Sequence, residues 1–531
     1  MKQSGIADVS TAVVSVREGE APGPVPALTI LSHPLAHRVG ERYVLDAIAA
    51  GREVAVSRNA PDFTKPDRVL GAPLGDPFVS RNPIRFAPGP GGRVRLVIDA
   101  GATPVIAGVP IEGSAEFAIE DLSRGIPLEL AERVVLLLHL FDPAAGATAD
   151  RLGMVGESAG IRRVRTAIER VVDLHVPVLI RGETGTGKEL VARAIHDKSP
   201  RRGGPFVSVN LGAVPRELAA AELFGAIKGA YTGATRDREG LFRAAHAGTL
   251  FLDEVGEAPP EVQVMLLRVL ETGEFYPVGA DKPVATQVRL IAATDANLEE
   301  QIRDGRFKAP LLHRLAGYEV RLPPLRERRE DIGLLFYHFA HEELAAIGEL
   351  HRLSPQDPYA RPWLPAPIAA QLVRYAWPGN IRQLRNLTRQ LVIGSRELPQ
   401  LWLDPQLAEE LAAPAPSARG EAVLTPSSPA PGIAPRRKPS EVTEHELVEA
   451  LRACAWDLKA AADRLRIPRP SIYDLIDKSP NVRTAGNLEA GEITRCFHDC
   501  QGDLDAMVAR LEVSKRALSR RIKELGLDKR A

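Results

Sequence analysis

The stretch VPVLIRGETGTGKELVARAI, residues 176–195, sets an apolar strand, a glycine loop and a helix in that order. Gly182 to Lys188 follow the pattern G-x-x-x-x-G-K, in which backbone N–H groups surround phosphates and the helix N-terminus favours an anion. This combination predicts an α/β domain that binds a nucleotide, with Lys188 reaching the β- and γ-phosphates. The residues expected to hold the nucleotide are Gly182, Glu183, Thr184, Gly185, Thr186, Gly187, Lys188 and Glu189.

Two later strands end in polar residues. The run GTLFLDEV ends with Asp253 and Glu254, and VRLIAATDANL continues into Thr294 and Asp295. Downstream of a phosphate loop, Asp253 is expected to hold Mg²⁺, directly or through water, and Glu254 to polarise the attacking water. Thr294 and Asp295 are expected to sense the γ-phosphate. The predicted cofactors are therefore ATP and Mg²⁺, and the predicted reaction is ATP hydrolysis.

The pattern of apolar runs divides the 531 residues into domains. Residues 1–25 are polar, and we expect them to be disordered. Residues 26–145 consist of short apolar runs between turn residues, which predicts an antiparallel β domain. In residues 150–400 strand-like runs alternate with amphipathic helices, as is typical of a parallel sheet. Residues 405–440 are rich in Pro, Ala and Ser and are predicted to be a linker, followed by helices to the end.

Charge and cysteine content limit the partners and the compartment. Lys and Arg number 68, as do Asp and Glu, so any surface that binds nucleic acid must be local. We find no apolar run near the roughly 20 residues that span a bilayer. The N-terminus also lacks the residue order of a secretory signal. Because three cysteines are too few for a disulfide scaffold, the expected location is the cytoplasm, with no membrane partner.

The C-terminal segment repeats itself at an offset of 46, since residues 447–476 overlay residues 493–522. Each copy has apolar positions at helical spacing around a short turn, which predicts two helix-turn-helix units, over residues 441–480 and 488–529. The motif CFHDC is predicted to supply core cysteines rather than metal ligands, because alternate positions on a helix do not share one face. The matched pairs are Cys454 with Cys500, Asp457 with Asp503, Leu458 with Leu504, Leu465 with Leu511, Ile467 with Val513, and Ile472 with Leu518.

The segments of residues 150–400, in their order, resemble the AAA+ domain of bacterial enhancer-binding proteins, the NtrC-type activators of sigma-54 RNA polymerase. Glu189 breaks the general phosphate-loop pattern, where Ser or Thr binds Mg²⁺, but it is the residue that this family carries. The resemblance implies an α/β domain with a helical lid and a homo-oligomeric ring, a hexamer. The matching blocks are MVGESAGIRRV, GETGTGKELVARAIH, ELFGAIKGAYTGA, AGTLFLDEV, LPPLRERREDI and WPGNIRQLRN.

Within this resemblance, the small-residue motif GAYTGA is similar to the family's surface loop that grips the sigma factor. Tyr231 stands where the family usually has Phe, and Tyr231 and Thr232 would make the contact. Before the loop, Ala226 and Ile227 replace polar residues of the family. The implied sigma-54 contact residues are Gly229, Ala230, Tyr231, Thr232, Gly233 and Ala234.

Other roles follow from the resemblance position by position. Asn210 resembles the residue that restrains the catalytic glutamate until the nucleotide state changes, and Arg382 the lid arginine that reads the γ-phosphate. Arg314 matches one arginine finger, which reaches the neighbouring subunit's nucleotide. Lys308 stands where the family has its other finger, and Pro310 replaces a usual acidic residue. Because Lys lacks the planar fork of Arg, ATP binding is a safer expectation than full-rate hydrolysis.

Residues 26–145 resemble, less closely, a forkhead-associated (FHA) domain, a β sandwich that binds a phosphothreonine protein. Proline or isoleucine stands near the position of a usual histidine, and Pro104 replaces an asparagine. A phosphate site and a β domain that has lost its ligand therefore remain open as alternatives. The implied phosphopeptide residues are Arg58, Ser80, Arg81 and Thr103.

The C-terminal copies resemble the Fis-type helix-turn-helix with which this family binds DNA at upstream, enhancer-like sites. The first copy has Arg469 but also Asp474 and Asp477, which repel phosphates, so the second copy is expected to read the operator. The first copy would then pack, dimerise or bind weakly. The basic residues of the second recognition helix are Lys515, Arg516, Arg520, Arg521 and Lys523.

The leading hypothesis is therefore an ATP-driven transcription activator that remodels sigma-54 polymerase, with the N-terminal domain controlling it. One rival is a DNA-binding regulator with a vestigial ATPase, which Lys308 and Pro310 favour. Another is a phosphothreonine-binding adaptor with a repurposed ATPase, against which the GAYTGA loop and the repeated C-terminal module argue.

Overall fold

The computed structural model describes residues 23–412, except residues 67, 146–149 and 231–235, and parts of residues 442–525. The chain separates into two compact units, with the boundary between Ala418 and Arg419. The first unit contains the N-terminal β domain and the α/β domain with its lid. The second contains the C-terminal repeat.

The N-terminal domain consists of two antiparallel sheets that share one core. The first sheet has the strand order β2-β1-β9-β8-β6 and the second the order β3-β4-β5-β7. Short helices α1 (Asp46–Ala49) and α2 (Ile119–Arg124) connect strands. The strands are β1 (Val25–Ser32), β2 (Arg42–Val44), β3 (Val54–Val56), β4 (Ile84–Pro88), β5 (Val94–Ile98), β6 (Val105–Ile106), β7 (Ser114–Phe117), β8 (Ile126–Leu130) and β9 (Val134–Phe141).

Strands β1 and β9 are buried on both faces. Leu28 and Leu136 point into the core between the two sheets. Their neighbours of opposite parity, Leu31, Val135 and Leu137, belong to the hydrophobic core of the lid. Because successive side chains of a strand face opposite sides, this double burial explains why β9 is apolar at every position except His139 instead of alternating.

The central domain is built on a parallel sheet with the strand order β11-β12-β15-β10-β16. The predicted strands at VPVLIRG, GTLFLDE and VRLIAAT are present as β10, β12 and β15. The strands are β10 (Val178–Arg181), β11 (Phe206–Asn210), β12 (Thr249–Asp253), β13 (Glu274–Phe275), β14 (Val284–Ala285), β15 (Arg289–Thr294) and β16 (Tyr318–Arg321). The helices are α3 (Ala159–Val171), α4 (Lys188–Lys198), α5 (Arg216–Phe224), α6 (Leu241–Ala244), α7 (Pro260–Thr272), α8 (Leu298–Arg303) and α9 (Ala309–Leu315).

The lid is a group of helices around its own core. It comprises α10 (Ile332–Ala346), α11 (Ala366–Arg374), α12 (Asn380–Gly394) and α13 (Pro405–Ala412). The predicted linker over residues 405–440 is wrong at its start, because α13 buries Leu411 in the lid core. The Leu and Ala residues of this segment recur at helical spacing, and the segment is helical despite the prolines around it. Residues 413–440 lie outside the described residues.

The C-terminal unit contains α14 (Glu444–Ala453), α15 (Ala490–Asp499) and α16 (Leu504–Leu511). The bounds of α14 and α15 differ by the 46 residues of the sequence repeat. Both copies contribute to one hydrophobic core, in which Ile472 and its counterpart Leu518 are fully buried. Arg452 of the first copy forms a two-pronged ion pair with Glu512 of the second, at 2.7 and 3.1 Å.

The cysteines of the repeat pack against this core, as predicted. Cys496 is buried, and Cys454 and Cys500 lie at its edge. In the described part of the chain, no helix has the length and apolarity that a membrane crossing requires.

Candidate nucleotide site

The phosphate loop connects β10 to α4, which begins at Lys188. Gly187 precedes the helix with φ +101°, a left-handed conformation that glycine adopts without strain. Lys188 Nζ donates to the carbonyl of Gly182 at 2.9 Å, so the ammonium lies across the mouth of the loop. A Cβ on Gly185 would collide with the carbonyl of Gly379 in the lid, so this glycine permits close contact between loop and lid.

The two predicted catalytic carboxylates stand at the carboxyl end of β12. Asp253 pairs in register with Asn210 of β11, and its Oδ1 accepts a hydrogen bond from the backbone N–H of Glu254 at 3.0 Å. Glu254 has φ +55°, an uncommon conformation for a residue with a side chain. The Asn210 amide oxygen accepts from the backbone of Ala213. The structure therefore brings Asn210 beside the carboxylates and holds its side chain in a local turn.

The predicted sensor residues lie at the carboxyl end of β15, where Thr294 is the last strand residue and Asp295 follows it, next to the phosphate loop. Asp295 accepts a hydrogen bond from the Thr184 hydroxyl at 2.5 Å. The Thr294 hydroxyl is buried and accepts from the backbone of Ala296. Asp295 thus contacts the loop directly, whereas Thr294 stabilises the turn that positions it.

Two residues predicted to bind nucleotide have other contacts. Glu183 forms a bidentate ion pair with Arg326, at 2.7 and 2.8 Å, and accepts from the Asn380 amide. The Arg326 hydrogen bonds lower the pKa of Glu183, with a smaller contribution from Asn380. Glu183 thereby ties the phosphate loop to the lid. Glu189 is exposed at the start of α4, with Arg193 3.8 Å away.

An open cleft of about 620 Å³ lies between the phosphate loop, the carboxylates of β12 and helix α12. Its size falls in the range of about 300–1,000 Å³ typical of ligand pockets. Arg382 of α12 reaches it from the lid, opposite Lys188 and the two carboxylates. The cleft therefore has cations beside the phosphate loop and carboxylates at the strand ends, an arrangement suited to a metal-bound polyphosphate.

Next to the cleft lies a smaller apolar pocket of about 150 Å³, which no sequence motif indicated. It is suited to a planar base, because most of its lining side chains are aliphatic or aromatic, and Thr186, Arg328 and His338 are the polar ones. Its lining comes from four separated segments, which explains why no local motif indicated it. The apolar lining residues are Met154, Val155, Ile161, Leu190, Val191, Leu322, Leu335, Phe339 and Ile381.

The predicted finger residues lie at α9. Lys308 is exposed at the N-cap of this helix, and Arg314 is exposed near its end, 3.5 Å from Glu271. Pro310 occupies the first turn, where a missing backbone N–H costs no helical hydrogen bond. A proline at position 310, in place of the family's usual acidic residue, is therefore compatible with a regular α9.

The base of the predicted sigma-contact loop is held by backbone hydrogen bonds. Ala226 is buried and exchanges two hydrogen bonds with Arg238, at 2.8 and 3.0 Å. Ile227 donates to Val278 at 3.1 Å. Gly229 and Ala230 follow this anchored base, and residues 231–235, which include the predicted Tyr231, Thr232, Gly233 and Ala234, lie outside the described residues. The small residue at 226 fits the buried base.

The predicted phosphopeptide residues lie together at one end of the β domain. The Ser80 backbone N–H donates to the Thr103 hydroxyl at 2.7 Å, and the Ser80 hydroxyl donates to Gly101. Arg58 donates to the carbonyl of Pro77, and Arg81 is exposed. Ser80 and Thr103 thus brace the loop, and the two arginines lie beside it.

Of the predicted DNA-binding residues, Arg521 is described and is partly buried. Lys515, Arg516, Arg520, Lys523 and Arg469 lie outside the described residues, so their contribution stays a prediction.

Comparisons with known proteins identify the central region. A family profile for the Sigma-54 interaction domain matches residues 154–321, and a profile for the AAA+ ATPase lid domain matches residues 326–419. The regulator NtrC of Azospirillum brasilense is 42% identical over 305 residues, which are 56% of this chain and 61% of the relative. NtrC of Escherichia coli K12 is 37% identical over 384 residues, which are 72% of this chain and 71% of the relative. The chain belongs to the sigma-54 activator family of AAA+ proteins.

A solved structure of the regulator NtrX from Brucella abortus, in complex with ADP, is also similar. It is 30% identical, the match covers 71% of this chain and 70% of that chain, and the TM-score is 0.43. As a sigma-54 activator of the NtrC type, the chain is an AAA+ ATPase. The predicted AAA+ domain with a helical lid is confirmed, whereas the FHA-like domain and the helix-turn-helix copies stay predictions.

Proposed function

We propose that this protein is a sigma-54-dependent transcriptional regulator that binds upstream DNA and uses ATP hydrolysis to remodel the closed complex of sigma-54 RNA polymerase. The observation that carries the proposal is the cleft in which Lys188, Asp253, Glu254 and Arg382 converge. The anchored base of the GAYTGA loop supports a polymerase contact, because a loop fixed at Ala226 transmits movement of the domain to its tip.

The residues at the cleft fit Mg²⁺–ATP. Asp253 supplies a carboxylate of the kind that Mg²⁺ prefers, at the strand end that faces the phosphate loop. Bound there, Mg²⁺ would neutralise charge on the β- and γ-phosphates. Lys188 contacts the same phosphates, and Glu254 orients the attacking water. Asn210, beside Asp253, restrains Glu254 until the nucleotide state changes.

Arg314 and Lys308 would act on the nucleotide of the neighbouring subunit in a homo-oligomeric ring, a hexamer. Both are exposed, Lys308 at the N-cap of α9 and Arg314 within it, and neither lines the cleft of its own chain. The second candidate function, a DNA-binding regulator with weak or vestigial ATPase activity, rests on Lys308, which has no planar fork. Pro310 no longer favours it, because the first turn of a helix tolerates proline.

The β domain would regulate the ATPase through α10. On one face of this helix, Tyr337 hydrogen-bonds Ser32 of β1 at 3.0 Å, and Gly333 lies against the Leu31 carbonyl. On the other face, Leu335 and Phe339 line the base pocket. A single helix therefore contacts both the β domain and the nucleotide site, and a phosphothreonine protein bound to the β domain would act through it. Two alternatives to this regulation are a β domain that has lost its ligand and a protein that acts as a phosphothreonine-binding adaptor.

At the C-terminus, we propose that the second copy binds DNA through Lys515, Arg516, Arg520, Arg521 and Lys523. The first copy, with Arg469 but two aspartates, would mainly pack. The shared core and the Arg452–Glu512 ion pair support this division, because they join the copies into one unit.

ATP hydrolysis by the full chain, measured against protein concentration, tests the proposal. A working ring gives a rate per subunit that rises cooperatively with concentration, because each site needs a neighbour's α9. The Glu254→Gln control is expected to bind ATP and to lose hydrolysis, by about 10²-fold or more. Nucleotide binding without turnover in the unmodified chain would favour the vestigial ATPase, and Lys308→Arg would then be expected to restore activity.

A further inference from the structure

Gln263 on α7 has a buried side chain whose hydrogen bonds connect two functional segments. Its exposed fraction is 1%. Its Nε2 donates to the carbonyls of Ala258 and Arg306, each at 2.9 Å, and its Oε1 accepts from the backbone N–H of Lys308, also at 2.9 Å. The amide is therefore fully engaged with main-chain groups.

The two carbonyls belong to different functional segments. Ala258 ends the short helical turn Val255–Glu257, which begins directly after Glu254. Arg306 and Lys308 enclose Phe307, which is 3% exposed and anchors the chain before α9. The Gln263 amide thus joins the segment after the catalytic glutamate to the segment that presents Lys308.

The chemistry of this junction requires an amide. One side chain must donate to two carbonyls and accept from an N–H, and neither a carboxylate nor a thioether can do both. Because the groups are buried, removing the amide leaves main-chain donors and acceptors without partners. The segment from Arg306 to Lys308 would then lose the bonds that fix the direction in which Lys308 projects.

We propose that Gln263 is a positioning residue for ATP hydrolysis, which sets the orientation of Lys308 toward the nucleotide of the adjacent subunit. The inference rests on the ring of the proposed function. Lys308 stands at the N-cap of α9 with its side chain exposed, and its backbone is held on the buried side by Gln263.

The kinetic test uses the full chain with Gln263→Met, which keeps the length of the side chain and removes its hydrogen bonds. We expect kcat to fall by about 10²-fold, as a misplaced group can cause, with KM for ATP nearly unchanged. Gln371→Met is the matched control, because that glutamine donates to Ala408 within the lid and touches no part of the cleft. If the Gln263→Met variant also loses ATP binding, the same kinetic measurement is made on Gln263→Glu, which keeps an acceptor for the backbone N–H of Lys308.

Mixing experiments separate a role toward the neighbour from a role within the chain. A Glu254→Gln subunit cannot hydrolyse ATP but presents an intact Lys308. If Gln263 positions Lys308 for the neighbour, mixtures of Glu254→Gln with Gln263→Met will be more active than the two proteins assayed separately. A mixture of Glu254→Gln with Lys308→Ala is the reference, because it shows how much activity returns when only the finger residue is missing from one subunit.

The outcomes are distinct. Recovery with both Gln263→Met and Lys308→Ala supports the inference. Recovery with Lys308→Ala alone overturns it, because Gln263 would then act within its own site. An unmodified chain that hydrolyses ATP while light scattering shows it to be monomeric overturns the proposed ring itself, and with it any action of Gln263 across subunits.

Discussion

At the scale of single residues, Arg133 joins the β domain to the lid. Its guanidinium pairs with Asp76 at 2.9 Å and donates to the carbonyls of Ala360 and Pro358, at 2.7 and 2.8 Å. It also lies over the ring of Phe78, 4.4 Å from the centroid. Because arginine has five donors in one plane, one side chain satisfies partners from both domains.

Replacing Arg133 tests this junction. Arg133→Met is expected to destabilise the protein by about 3–5 kcal/mol, because Asp76 would stay buried without a counter-charge. Adding Asp76→Asn should then cost little more, since the uncompensated charge is gone. Denaturant unfolding of the single and double variants measures the coupling between the two residues. A loss below about 1 kcal/mol for Arg133→Met would contradict the assignment.

The residues of the nucleotide site differ in how far sequence could predict them. Lys188, Asp253 and Glu254 lie in short motifs, and the spacing of these motifs predicts the role of each residue. Glu183 and Gln263 could not be assigned this way, because their partners are distant in sequence. Arg326 lies 143 positions from Glu183, and Lys308 lies 45 positions from Gln263. A local sequence pattern does not show which group, distant along the chain, a side chain will contact in the folded protein.

At the scale of elements, α10 is apolar on both of its main faces. Phe336 and Leu335 are buried in the lid core, and Gly333 packs against β1. The sequence predicted helices in this region but not a partner for the second face. That partner is the strand pair β1 and β9, whose Leu31, Val135 and Leu137 belong to the core of the lid.

Gly333→Ala tests the contact between α10 and β1. The added Cβ would overlap the Leu31 carbonyl, so we expect the β domain to separate from the lid and the affinity for ATP to change. Hydrogen exchange of β1, together with nucleotide titration, measures both effects. Gly394→Ala, in the same lid but with open space around it, is the control and should leave both unchanged. Equal exchange in the two variants would count against coupling through α10.

At the scale of the whole molecule, the hydrophobic core of the lid extends into the β domain. Leu31, Val135 and Leu137 of the β domain belong to the same core as Phe336 and Trp363 of the lid. The sequence patterns predicted a domain boundary near residue 145, but they could not show that the core of the lid includes side chains of the β domain. The domains are successive in sequence and joined in packing.

A chain without residues 1–145 should therefore expose an apolar face of the lid. We expect it to bind a hydrophobic dye and to aggregate at concentrations at which the full chain stays dispersed. Light scattering and dye fluorescence measure this. A chain that ends at residue 418 is the control, because it keeps the first unit complete. Equal dispersion of the two truncated chains would show that the shared core is dispensable.

The repeat in the C-terminal unit has a thermodynamic consequence. Two separate subunits that pair obey mass action, so their pairing weakens on dilution. Here both copies belong to one polypeptide, share a core and are bridged by Arg452 and Glu512. Their association is intramolecular, with an effective concentration set by the short connection between them. The paired form of the two copies is thus retained when the protein is diluted.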